Sequence, residues 1–227
     1  MLKRTRLPLD FEKPLIINQV LLLAFQCILY CGVQYLEGTP ADMTLPADRM
    51  IPFFPPMIIG YLLWFPMIAF FPLLLHHFSK ALYRRHMAGL VLLIVLSCLI
   101  YLVYPTTVDR GDLNDAPLSQ LVFFIYAADK MNLNCMPSMH CSMCFMMLFS
   151  ALACKESPAV CRYGTVVLSL FVVASTLFVK QHVIIDAVTA FPLALLCLLA
   201  GGLIARQSSR RRLISPEKSD SSVPSSS

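Results

Sequence analysis

Two histidines stand in short polar interruptions of an otherwise apolar chain. His182 and Asp186 are four residues apart, so both side chains share one face of a helix that begins before His182. A carboxylate at that spacing holds an imidazole in one tautomer and raises its basicity, which is what a nucleophile or general base needs. Ser175 lies seven residues before His182, on nearly the same face of a continuous helix, and Lys180 adds a positive charge beside it. The earlier interruption reads Asn134-Cys135-Met136-Pro137-Ser138-Met139-His140. Pro137 suits a first helical turn and Asn134 the cap before it, and the N–H groups at such an N-terminus form an anion site. Ser138 adds a hydroxyl donor, and His140 follows within a turn. These are the residue types that bind and transfer phosphate, with the anion held between His140 and His182. Each piece alone has an ordinary explanation, as a solvated interfacial histidine or a helix cap. Their convergence at the ends of two outward-facing helices, with Arg110 in the long loop on the same side, favours a site.

The elements that must position these residues are membrane helices. Of 227 residues, 58% are hydrophobic and 14% charged, against roughly a quarter charged in soluble domains. Apolar runs long enough to cross a bilayer, about 18–20 residues, are expected near 14–36, 55–75, 88–104, 137–153, 160–179 and 183–204. The expected architecture is therefore an all-α bundle of six transmembrane helices in one domain, 14–206. A basic tail (1–13) precedes it, and a basic, Ser-rich, disordered tail (207–227) follows. Pro66 and Pro72 are expected to kink the second span. Trp64 and Tyr61 on that span fit either interface anchors or packing residues. The apolar stretch 118–128 is too short to cross and is expected as a surface or re-entrant helix.

Charge sets the orientation. With the N-terminus inside, Lys3, Arg4, Arg6, Lys13, Lys80, Arg84, Arg85, Lys155, Arg162, Arg206, Arg210, Arg211, Arg212 and Lys218 are cytoplasmic, and only Arg49, Arg110, Lys130 and Lys180 lie outside. Both termini are thus expected in the cytoplasm and both interruptions on the extracytoplasmic face. The net charge of +5 reflects this topology; no basic groove with interleaved aromatics suggests nucleic acid. Most of the nine cysteines lie in apolar runs as small hydrophobes. Cys141 and Cys144 form a Cys-x-x-Cys inside a membrane helix, where packing is favoured over redox or metal binding, and Cys135 is the thiol nearest the site.

Pro137-Ser138-Met139-His140 resembles the Pro-Ser-Gly-His signature of the type 2 phosphatidic acid phosphatase superfamily. The stretch from Ser175 to Asp186 is similar in spacing to that family's Ser-Arg-(five)-His-(three)-Asp signature. The chain looks closest to the inositol phosphorylceramide synthase-like branch, where Lys-Gln-His precedes the Asp, as Lys180-Gln181-His182 does here. The resemblance covers roughly 104–192. It implies His182 as the nucleophile, Asp186 as its orienting partner and His140 as the acid for the leaving alcohol. It further implies Ser138, Ser175, Arg110 and Lys180 as phosphate-binding residues, with no metal and no cofactor. The chain departs from the family pattern at two cationic positions. Val103 stands where the first signature has Lys, with Gly111 in place of Pro after Arg110, and Thr176 replaces the Arg of the last signature. Lys180, with or without Lys130, is the expected substitute charge.

The function expected is a metal-independent membrane phosphatase acting on a lipid phosphate or diphosphate through a phosphohistidine. An alcohol acceptor in place of water would make it a phospholipid or sphingolipid head-group transferase. The rival of another class is a non-catalytic protein or a proton-coupled transporter in which His140, His182 and Asp186 relay protons. Oligomeric state is not legible.

Overall fold

Apolar runs this long fold as helices because a bilayer offers no water to backbone polar groups, and a helix satisfies them within the segment. The computed structural model describes residues 13–36, 38–110, 115–128 and 133–214. The helices are α1 (Lys13–Gln34), α2 (Ile58–Leu62), α3 (Trp64–Phe78), α4 (Lys80–Val103), α5 (Ser119–Ala128), α6 (Met139–Ala153), α7 (Ala159–Phe178) and α8 (Ile184–Ile214). Two short strands, β1 (Ala41–Asp42) and β2 (Thr106–Thr107), pair in parallel. The expected basic tail up to residue 12, with Lys3, Arg4 and Arg6, lies outside the described residues, as do Gly111, Asp129, Lys130 and Lys218.

Five helices are long and apolar enough to cross a membrane: Lys13–Gln34, Pro55–Phe78, Lys80–Val103, Ala159–Phe178 and Ile184–Ser208. The expected fourth span does not reach that length. Ser138 caps α6 so that it starts at Met139, and it ends after 15 residues, about 22 Å against a hydrocarbon core of about 30 Å. The third span starts at Lys80 and not near residue 88, because Ser79 caps it by accepting the Leu82 N–H (3.5 Å). Helix α8 continues through Ile214, so the tail expected from 207 is helical over its first residues.

Helices α4 and α8 form the closest pair. A Cβ on Gly201 would lie 2.5 Å from the Gly89 nitrogen, and one on Gly89 would lie 2.9 Å from the Cys197 carbonyl oxygen. Only paired glycines let the two backbones approach so far. Helix α6 occupies the centre, where Met139, Cys141, Met143, Cys144, Met146 and Met147 are all buried. Both prolines of the second span leave a mark. Pro66 has no N–H to return to Leu62, and the span is interrupted at Leu63, between α2 and α3. Pro72 likewise has no N–H for the Ile68 carbonyl, which takes its hydrogen bond from Gln19 Nε2 of α1 instead (2.7 Å).

At one end of the bundle the connections gather. The 3₁₀ turn Pro46–Met50 follows β1, and α5 packs through Val122, Ile125 and Tyr126 on Ile58, Tyr61 and Val179. The Tyr126 hydroxyl donates to the Val179 carbonyl. Helix α5 has ten residues, about 15 Å, and is too short to cross.

Candidate active site

Helix α7 ends in a left-handed turn that aims His182. The Gln181 N–H bonds the Thr176 carbonyl (3.0 Å) and the Lys180 N–H the Leu177 carbonyl (3.1 Å), with Lys180 at φ 53°. This is the helix stop in which glycine normally occupies the left-handed position. A side chain there costs about 1–2 kcal/mol, so the residue at 180 is held by other contacts. They are two hydrogen bonds from its ammonium, to the carbonyls of Asp48 (2.8 Å) and Ile51 (2.5 Å). Partial burial lowers the Lys180 pKa, an effect that Asp48 and Asp109 oppose. The expected continuous helix from Ser175 to Asp186 is thus broken at Val179–Val183, where the turn reverses the chain before α8 begins.

The pairing of His182 with Asp186 survives that break. His182 Nδ1 lies 3.1 Å from Asp186 Oδ2, and the same oxygen accepts the Val183 N–H at 3.1 Å. Asp186 is fully buried, and its other oxygen, Oδ1, has no hydrogen-bond partner among the described residues. His140 meets His182 from α6, with Nδ1 3.3 Å from His182 Nε2. The α6 cap sets that approach, because the Ser138 N–H donates to the Asp186 carbonyl (3.2 Å). The far nitrogen of His140 faces the Tyr61 hydroxyl (3.0 Å), and the Trp64 ring packs on the imidazole at a tilt of 51°, centroids 4.4 Å apart. With both imidazoles neutral, one proton arrangement satisfies every pair. A carboxylate only accepts, so His182 carries its proton on Nδ1 and presents a lone pair at Nε2. His140 donates from Nδ1 to that lone pair, and Tyr61 donates to His140 Nε2.

A cavity of about 630 Å³ opens beside His182. Its wall includes Arg49, Arg110 and Lys180, with Asp48, Asp109 and Thr44 among the polar groups and Phe53 and Leu177 among the apolar ones. Arg110 lies with its guanidinium carbon 3.7 Å above the Tyr126 ring. Asp48 is buried, with Oδ1 accepting the first N–H of α8, Ile184 (2.7 Å), and Oδ2 accepting the Leu45 N–H (2.8 Å). Among the described residues no group of three or more His, Cys, Asp or Glu side chains is placed to hold a metal ion.

Of the residues singled out from sequence, His182, Lys180 and Arg110 share this cavity, and His140 and Asp186 touch His182. Ser138 and Ser175 do not reach the wall. Ser138 Oγ caps α6 by accepting the Cys141 N–H (3.2 Å), and Ser175 Oγ donates to the Val172 carbonyl (2.6 Å); both are fully buried. Thr176 is likewise buried, its hydroxyl on the Val173 carbonyl (2.8 Å). Asn134 does not cap α6; it sits at φ 63° and donates to the Tyr30 carbonyl (3.3 Å). Cys135 is buried with Val108 and Val183. Sequence reasoning passed over Asp48, Arg49, Tyr61 and Trp64 as site residues. The charge asymmetry from which Arg110 is expected on the outer side applies equally to Arg49, and was the one signal available. Comparison of the chain with protein-family models, with curated proteins and with solved structures gives no match.

Proposed function

We propose that the protein is a membrane-embedded phosphatase of lipid phosphates, working through a phosphohistidine at His182. The observation that carries this reading is the two-sided environment of one imidazole. Its Nδ1 is held by Asp186, and its Nε2 is directed at His140 beside a cavity walled by three cations. Phosphoryl transfer needs positioning and neutralised charge more than covalent machinery, and these groups supply both. The resemblance to type 2 phosphatidic acid phosphatases supports the same assignment.

In the first step the Nε2 lone pair attacks phosphorus and the P–O bond to the lipid alcohol breaks. His140, doubly protonated when the phosphate enters, gives its Nδ1 proton to the departing oxygen and is left neutral, and Asp186 stabilises the charge that develops on the His182 ring. In the second step water attacks the phosphohistidine and returns a proton to His140. Phosphate leaves, and His182 recovers its lone pair. An alcohol taking the place of water gives a head-group transferase by the same route. The two imidazoles touch at 3.3 Å. A reacting phosphoryl group needs a near-attack distance of about 3–3.5 Å plus a hydrogen bond of about 2.8 Å between them. The rings therefore part when substrate enters. In this reading the chain crosses the bilayer six times, α6 counted because protein and not lipid surrounds it. Both termini are then cytoplasmic and the cavity opens on the opposite face.

The direct contact also favours a second reading. Tyr61, His140, His182 and Asp186 form an unbroken hydrogen-bonded chain, which is the arrangement of a proton relay in a transporter. One experiment separates the readings. Detergent-purified protein with EDTA is offered lipid phosphates and diphosphates, with and without an alcohol acceptor, and free phosphate and lipid products are followed. Phosphate release that disappears in His182→Gln, at unchanged membrane expression, supports the phosphatase. A new lipid product that appears only with the alcohol supports the transferase. Full turnover in His182→Gln overturns the phosphohistidine, and no turnover with any lipid leaves the relay as the better account.

A further inference from the structure

Three cations line the cavity, and they are not equivalent. Lys180 has two of its three N–H donors on the carbonyls of Asp48 and Ile51. Its backbone also occupies the left-handed position of the α7 stop. Moving this ammonium toward a ligand breaks the contacts that hold a non-glycine residue there. Asp48 is equally committed, one carboxylate oxygen on Leu45 and the other on Ile184. These bonds, with the Phe54 N–H on the Phe178 carbonyl (3.0 Å), fasten the 45–54 segment to both ends of the turn that carries His182. Arg110 is stacked on Tyr126.

Arg49 differs from all of these. It is exposed on the cavity wall, adjacent in sequence to the anchored Asp48, and no hydrogen bond or ion pair engages it among the described residues. Among the described residues Asp42 feels its charge. Its backbone is held by the neighbouring clamp while its guanidinium remains available. Drawing that group onto an anion breaks no bond of the fold, and its planar fork matches two phosphate oxygens at once.

We propose that Arg49 is the residue that captures the substrate phosphate in this cavity, and that Lys180 and Asp48 are positioning residues that hold the His182 turn against it. The identity of the anion's carrier rests on the lipid-phosphate reading; the contact itself does not.

The test is equilibrium binding of inorganic phosphate to the detergent-purified whole chain, by calorimetry and by 31P line broadening, in parallel with turnover. Arg49→Ala is expected to weaken phosphate binding at least about tenfold with an unchanged melting temperature, Arg49→Glu to abolish it and Arg49→Lys to restore part of it. Lys180→Met is expected to leave phosphate affinity within about threefold while lowering kcat and shifting the His182 ring signals in NMR. Phosphate binding by Arg49→Ala equal to that of the unaltered protein overturns the proposal. So does a larger loss of binding in Lys180→Met than in Arg49→Ala, or no measurable binding by the unaltered protein. His182→Gln separates this from the catalytic reading. If that variant still turns over, the phosphohistidine fails while the binding series continues to judge Arg49.

Discussion

Two buried imidazoles lie toward opposite ends of the bundle, and only one has the surroundings of a reactive group. His86, in the second turn of α4, is 1% exposed, and His182 is 6% exposed. Burial does not distinguish them. His86 meets the Ser150 hydroxyl (2.8 Å) and the edge of the Phe71 ring, and its Nε2 has no partner among the described residues. It has a neutral partner and an apolar enclosure. His182 has a carboxylate on one nitrogen, a second histidine on the other and a charged cavity alongside. A histidine inside a membrane bundle becomes chemically useful through an ionic partner and an access route, not through burial alone.

Five substitutions would break or sharpen that contrast. Removing the ionic partner should have the largest effect. Asp186→Asn leaves a side chain of the same shape but one that can donate to Nδ1 and trap the wrong tautomer, so turnover should fall by about 10³-fold or more. A loss under tenfold, measured as kcat/KM on the best lipid phosphate, would reduce Asp186 to a packing residue. Removing the second imidazole should matter next. His140→Ala should lower turnover of alkyl phosphates by about 10²–10⁴-fold and of p-nitrophenyl esters far less, because a good leaving group needs no proton. Equal losses on both substrates would refute the acid role.

At the other end the expected effect is on stability alone. His86→Leu leaves the Ser150 hydroxyl without its partner and should destabilise by about 1–3 kcal/mol, while His86→Leu combined with Ser150→Ala should recover much of that. Activity per folded molecule should stay within about twofold in both. A double variant that folds well but loses turnover would show that His86 communicates with the cavity. The smallest effect belongs to Asp42, the last residue of β1. Its carboxyl is held below the usual 3.8, first by the Thr44 hydroxyl and next by the Thr44 N–H. A folded-state value below the unfolded one contributes stability that is present above about pH 4 and is lost as pH falls through the lower folded value. The gap in melting temperature between the unaltered protein and Asp42→Asn should therefore be small at pH 6 and shrink as pH falls below about 4. A gap that stays constant as pH falls below about 4 would rule out ionisation as its source.

Much of this arrangement was legible without coordinates. Apolar length and the sparse charges dictate membrane helices, because a bilayer core excludes both water and unpaired backbone groups. The i, i+4 spacing of His182 and Asp186 predicted their contact, and the contact forms even though α8 begins at Ile184, after His182 and not before it. Local spacing tolerates such a shift because both residues sit within one turn. Elsewhere local logic misled. Ser138 and Ser175 have hydroxyls at suggestive positions, yet the nearest unpaired backbone groups claim them, Cys141 N–H and the Val172 carbonyl. A sequence does not rank that competition against a distant ligand.

Composition, hydrophobic run length and short-range spacing thus determined the helical membrane class, the end of the bundle that carries the polar residues and the His182–Asp186 pair, since each depends on neighbours within a few residues. The tertiary structure alone decided that His140 meets His182 across 42 positions, that Tyr61 and Trp64 flank it, and that Lys180 reaches back 132 positions to the Asp48 carbonyl while Arg49 on the wall makes no hydrogen bond or ion pair among the described residues. Those contacts depend on how five or more helices pack and on glycines such as Gly89 and Gly201 that set how closely they approach. Side-chain complementarity between distant segments has no signature in either segment read separately.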